Sequence, residues 1–273
     1  MSGSEAVFFW ATTFLLAAAF FTSLAGLVFR RPGAFRIATW AAGIATGTLT
    51  VFAANRWVRS GHPPFVSLFE SMTASVWFLL VIHQVGRLRA PQLRIVTMPL
   101  SGVAFLLMGW ASSLPAGASP LSDALKNTWL FIHASFATSG AAAFVAAASL
   151  AVVYLLGERR LEALRGTLAV LPDYARLPQA IDNFVLFGLI LWGVMIVSGS
   201  IWAHVAWGRY WAWDPIEMWS LISWLLYALL LHARMALRIS KRLFFALTVA
   251  AAFTVVFALW GVHYVYRTIH TYG

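Results

Sequence analysis

Cysteine is absent from this 273-residue chain. That removes disulfides, zinc–thiolate sites and thiol nucleophiles together. Charge is scarce as well: 10% of residues are charged, nine of them acidic, against 61% hydrophobic. A water-soluble domain carries about a quarter charged residues. With a mean hydropathy of +0.80, this composition belongs to a chain solvated by lipid. The sequence also lacks a repeat of fixed period and a low-complexity linker, so residues 1–273 read as a single membrane domain. No short apolar core follows a basic leader; the first apolar run, 6–29, is long enough to be a retained span. Two histidines at i, i+4 beside a carboxylate are missing, which argues against a zinc hydrolase.

What is present is apolar length. Eight runs, 6–29, 36–55, 65–86, 94–112, 128–156, 183–203, 216–237 and 243–264, each approach the ~20 helical residues that cross a bilayer. Backbone amides in hydrocarbon must be satisfied within the segment, so the expected fold is an all-α polytopic membrane protein of about eight transmembrane helices. The formal net charge of +10 would suit a nucleic-acid binder if the basic residues shared a face. They lie instead in short clusters between the runs. Alternate connections hold Arg30, Arg31 and Arg36; Arg87, Arg89 and Arg94; Arg159, Arg160, Arg165 and Arg176; and Arg234, Arg238, Lys241 and Arg242. The opposite side holds only Arg56, Arg59, Lys126, Arg209 and Arg267. Fourteen against five puts the first set in the cytoplasm and both termini on the outer, periplasmic side. The long inner connection 157–182 reads as a solvated segment.

On the outer side lies WGRYWAWDPIEMW, with four tryptophans in thirteen positions, 207–219. Asp214 is placed to cap the next helix, Pro215 suits its first position, and Glu217 at the third completes a capping box. The segment 203–219 is therefore an external connection held against a helix start. Trp10, Trp40, Trp57 and Trp77 fit an interfacial aromatic belt. Trp207, Trp211, Trp213 and Trp219 are gathered and anchored, as a platform for a flat apolar cofactor would be. Composition leaves belt and platform both open.

Imidazoles at membrane depth are costly enough to be functional candidates. His133 lies early in the fifth span and His270 at the end of the chain, and the topology brings both to the outer level. Two imidazoles beside an aromatic shelf can ligate and cover an iron porphyrin. A lone imidazole also serves as an ordinary hydrogen-bonded side chain, and the residues leave that use open. His232 lies about 24 Å along its helix from Ile216, near the cytoplasmic end, as an inner ligand or a side chain reaching the interface. His83 shares that geometry. His263 faces the outer level, and His62 and His204 read as solvated loop residues. Glu70 is the one acidic residue embedded in a span, which a secondary transporter would need.

The run WGRYWAWDPIEMWSLISWLLYALLLHAR resembles the tryptophan-rich WWD signature of haem-handling proteins, and is most similar to that of the CcsA (ResC) family of System II cytochrome c biogenesis. SGHPPFVSLFESM, LFIHASFATSGAAAF and GVHYVYRTIHTYG are similar to three further motifs of that family, in the same order, so the likeness covers most of residues 60–270. The sequence departs from the family at Ile216, usually Lys; at Met218, usually Thr; and at His263, often Asn.

The resemblance implies a haem-handling subunit of a membrane cytochrome c synthase, or haem lyase, working with CcsB (ResB). Haem b would be taken from the cytoplasmic side and presented outside for thioether attachment to the CXXCH motif of apocytochrome c. Carried over by position, His133 and His270 are the outer axial ligands and the catalytic pair. His232 is the inner ligand, its second ligand coming from the partner. Trp207, Gly208, Trp211, Trp213, Asp214, Pro215, Glu217 and Trp219 form the WWD contact. Arg56, Lys126 and Arg209 are candidates for the propionates. The implied location is a bacterial plasma membrane, or a thylakoid with the site facing the lumen. The alternatives are a CcmC-type haem-delivery protein of System I and a secondary transporter.

Overall fold

A computed structural model describes residues 1–89, 96–117, 127–157 and 174–269. Among them the chain is helical throughout. The helices are α1 (Gly3–Val28), α2 (Pro32–Ser60), α3 (Leu68–Arg89), α4 (Thr97–Ala111), α5 (Thr128–Leu155), α6 (Leu177–Trp207), α7 (Pro215–Met235) and α8 (Lys241–Val256). A π-turn, Phe257–Gly261, and a last turn, Val262–Val265, prolong α8.

Local chemistry starts these helices where it can. Ser2 and Glu5 make a reciprocal capping box on α1, Asn127 caps α5 and Ser240 caps α8. Asp214 and Glu217 make the second capping box, with Pro215 at the first position of α7, where the residue pattern puts them. Among the described residues, seven helices are long and apolar enough to span a bilayer. The fourth expected span is shorter than its apolar run 94–112: α4 has 15 described residues, which at 1.5 Å each cover about 22 Å of a ~30 Å core. The 157–182 connection also differs in part. Residues 177–182, read there as solvated chain, already belong to α6, because Pro178 is accommodated in a first helical turn. Residues 158–173 lie outside the described set.

Helix α5 is the axis of the bundle. It packs on α6, α8 and α3, while α1 packs on α2 and α4. Its buried face runs through Ala137, Gly140, Ala141, Ala143, Ala147 and Ala151. Without a hydrophobic force between helices in lipid, such small residues stabilise the bundle by allowing close approach. A Cβ on Gly140 would sit 3.3 Å from the Trp192 backbone nitrogen, and one on Gly188 would clash with the Phe144 ring at 2.8 Å. Phe144 stacks on Tyr227 at 3.7 Å, bringing α7 into the same core. Trp192 and Trp224 donate their indole N–H groups to the Ser220 and Leu189 carbonyls, crossing α6 and α7 in both directions.

Hydrogen bonds place the chain ends at one end of this bundle. The Met1 ammonium donates to the Ala116 carbonyl, beyond α4, and Trp110 near the end of α4 donates to the Tyr264 hydroxyl. A buried ionic knot holds the same end. Arg56 donates to Glu70 at 2.6 Å and to the carbonyls of Ala116 and Gly117, and Arg59 pairs with Glu5 at 2.9 Å.

Candidate functional site

The connection between α6 and α7 is built by backbone chemistry before any side chain packs. Gly208 ends α6 in the left-handed region, φ +74°, where its N–H donates to the His204 carbonyl. Five residues on, Trp213 adopts φ +59°, which costs a bulky side chain on the order of 1–3 kcal/mol. The Glu217 carboxylate holds that turn. Its Oε2 accepts from the N–H groups on both sides of Trp213, Ala212 at 2.8 Å and Asp214 at 3.2 Å. Trp213 is thereby projected outward, 69% exposed, with Trp211 edge-on to it at 5.9 Å.

His133 enters from α5. Its Nδ1 lies 2.9 Å from the Met195 carbonyl, which can only accept, so Nδ1 carries the proton and Nε2 the lone pair. The ring stacks on Trp202 at 6.0 Å and 19°. Space for it comes from Gly199, where a Cβ would lie 2.5 Å from Nδ1 and 2.7 Å from Cε1. Around the imidazole, Gly199, Trp202, Tyr210, Trp211, Ile216 and Glu217 line a narrow cleft of about 40 Å³. Tyr210, at its mouth, stacks on His204 at 4.1 Å and 7°.

Asp214 joins this connection to the far end of the chain. Oδ1 accepts from the Ile216 N–H at 3.0 Å, as a helix cap does, and from the Thr268 hydroxyl at 2.7 Å. Oδ2 accepts from the Ile269 N–H at 2.8 Å. The C-terminal tail is thus fastened to the tryptophan-rich connection up to the residue before His270. His270 itself lies outside the described residues.

The expected site residues separate accordingly. Trp211 lines the cleft, and Trp207 packs edge-on against Trp202 at 4.9 Å. Gly208, Asp214, Pro215 and Glu217 shape the connection. Trp219 turns inward instead, meeting Phe257 at 4.7 Å beside the π-turn. His232 is exposed near the opposite end of α7, remote from the cleft. His83 is buried against the Thr97 hydroxyl at 3.0 Å. His62 is not a solvated loop residue: it is 5% exposed, its Nδ1 at 3.0 Å from the Pro63 carbonyl. His204 is exposed but belongs to the last turn of α6. Arg56 is committed to Glu70 and two carbonyls, which removes it from the anion-binding candidates. Arg209 is exposed beside Gly208, and Lys126 lies outside the described residues. Sequence reasoning missed Gly199, Trp202 and Tyr210. The small-residue run SGS before Ile201 and Trp202 was the available signal for the first two.

A family model described as cytochrome c assembly protein matches residues 65–270, from the turn before α3 to the tail. The chain belongs to this family. Among the curated relatives, the cytochrome c biogenesis protein CcsA of Guillardia theta is 29% identical, with 91% of this chain and 89% of that protein covered. The CcsA of Synechocystis sp. is also 29% identical, over 96% of each chain. Of solved structures, cytochrome c haem lyase CcmF superposes with a TM-score of 0.74 at 17% identity. It covers 95% of this chain, which spans about half, 47%, of CcmF. That likeness shows a shared fold over most of this chain, beyond the residues of the family match.

Proposed function

We propose that this protein is the haem-presenting subunit of a membrane cytochrome c synthase, with haem b as its cargo and the cysteines of an apocytochrome CXXCH motif as acceptors. The observation that carries the reading is His133. Hydrogen bonding to Met195 fixes its tautomer, so the lone pair on Nε2 is the ligating one, and a coordinated histidine needs this kind of partner on its other nitrogen. The imidazole sits under the tryptophan-rich connection, to which Asp214 fastens the chain leading to His270. His133 and His270 are the two axial ligands and the catalytic pair.

The cleft beside His133, about 40 Å³, is partly open and receives the edge of the haem ring. Trp207, Trp211 and Trp213 cover the ring, Arg209 answers a propionate, and Trp219 supports the connection from behind. Each thioether forms when a cysteine sulfur adds to a haem vinyl group and the thiol proton passes to the neighbouring vinyl carbon, with no net oxidation. The vinyl chemistry belongs to the cargo; this chain supplies position and a dry, aromatic surround.

The tryptophan-rich end faces the periplasm, or the lumen in a thylakoid, because the basic clusters lie at the other end. His232 is the inner ligand. Its exposure on the outside of the bundle suits an axial partner from a second subunit of the CcsB (ResB) kind. The Glu70 carboxylate is occupied by Arg56 and the N–H groups of Val66 and Ser67, which leaves a transporter without its midplane acid. Relatives that match along nearly their whole length as CcsA favour attachment over System I delivery.

The test is holocytochrome formation with the partner subunit and an apocytochrome co-expressed. His133→Ala and Trp211→Ala should each lower covalent haem, read by haem stain, at unchanged membrane levels of the protein. Normal attachment in both variants would refute the reading.

A further inference from the structure

The bonds made by Asp214 go beyond helix capping. The cap itself is complete with the first-turn N–H groups of Ile216 and Glu217. Asp214 spends its remaining acceptor capacity on two groups of the tail, the Thr268 hydroxyl and the Ile269 N–H, across 54 and 55 residues of sequence. The carboxylate is buried, 6% exposed, although Ile269 itself is 38% exposed. In this tail Tyr266, Arg267 and Ile269 are exposed, and the last helical turn ends at Val265. Glu217 meanwhile fixes the N–H of Asp214 itself, so the carboxylate is presented from a rigid turn.

We infer that Asp214 is a positioning residue, a latch that holds Thr268–Ile269 on the tryptophan-rich connection, so that the chain entering His270 starts from a fixed point. This inference rests on the haem-ligand reading of His270. It assigns the Asp of the motif to the protein's own tail. It also accounts for why the motif has an acid at a cap where Ser or Asn would serve: only a carboxylate offers acceptors on both oxygens.

Asp214→Asn is the discriminating variant. Its Oδ1 can still accept from Ile216 and Thr268, so the cap persists, while its NH₂ faces the Ile269 N–H, donor against donor. Thr268→Val removes the other bond from the tail side and leaves α7 untouched. Two measurements are made on the full chain in detergent. The first is the rate at which trypsin cuts Arg267–Thr268, followed by mass of the released peptide. Loss of one charge-assisted bond should raise it about tenfold in either variant. The second is the ferric haem spectrum, which should gain high-spin character in both and return to low-spin with added imidazole.

An unchanged cutting rate in both variants overturns the latch. Faster cutting with an unaltered spectrum overturns its positioning role. His270→Ala with a parental spectrum would instead refute the ligand reading, and the cutting rate would still decide whether the latch exists.

Discussion

At the scale of single residues, the site depends on what surrounds the imidazole more than on the imidazole itself. Gly199 is the plainest case. Any side chain there drives into the His133 ring, and the shift breaks the bond from Nδ1 to Met195 that sets its tautomer. Gly199→Ala should destabilise by roughly 1–3 kcal/mol, the usual cost of forcing a packed ring aside. The lost hydrogen bond adds about 1 kcal/mol, and the gain in helix propensity from Gly to Ala offsets about as much. Haem affinity should also fall at least tenfold, read by titration of the full chain beside its thermal unfolding. Equal affinity in parent and variant would mean the ring's placement is unimportant. His133 was legible in the sequence because an imidazole in an apolar run stands out. Gly199 was not, since a glycine in a membrane helix reads as ordinary close packing. Trp213 belongs to the same lesson. Its aromatic character was visible, but its left-handed backbone and the Glu217 carboxylate that sustains it were not.

At the scale of elements, α7 joins two candidate sites, one at each of its ends. Its start was readable to the residue because Asp, Pro and Glu at fixed spacing are local chemistry. Its outward face shows only in the fold. Met218, Ile222, Leu225, Leu229 and His232 are all exposed, at spacings of four, three, four and three. That is the 3.5-residue period with which one helix packs along another in a left-handed pair. In a bilayer an apolar stripe of this kind faces lipid or a neighbouring helix, and His232 stands at its end away from the tryptophan-rich connection. His232→Ala should leave the spectrum of the isolated chain unchanged and lower the haem content of the two-subunit complex, measured by pyridine haemochrome. A loss in the isolated chain would place His232 in a site of this chain's own. The short α4 and the early start of α6 were not legible, because helix length here is set by neighbours and by Pro178, not by where the apolar run begins.

At the scale of the whole molecule, the tryptophan-rich end is a meeting of distant segments. The Arg56 knot ties α2 and α3 to the stretch after α4, with Glu5 of α1 nearby, and Trp110 joins α4 to the turn that leads into the tail. Arg56→Met should destabilise the protein by about 3–5 kcal/mol, the usual cost of stranding one buried partner. Detergent-stability assays should show the loss, while any folded fraction keeps its haem spectrum. A parental melting profile would show that the knot is not structural. The lengths of the apolar runs and the order of the motifs made the helical architecture legible almost throughout. Contacts spanning 50 residues or more, such as Asp214 to Ile269, leave no pattern in a single sequence. The most direct measurement of the central claim is the ferric absorption spectrum of the purified full chain with its partner subunit, set against His133→Ala. The account predicts a low-spin, bis-imidazole spectrum in the parent that the variant loses and added imidazole partly restores. An identical spectrum from the two proteins would contradict it.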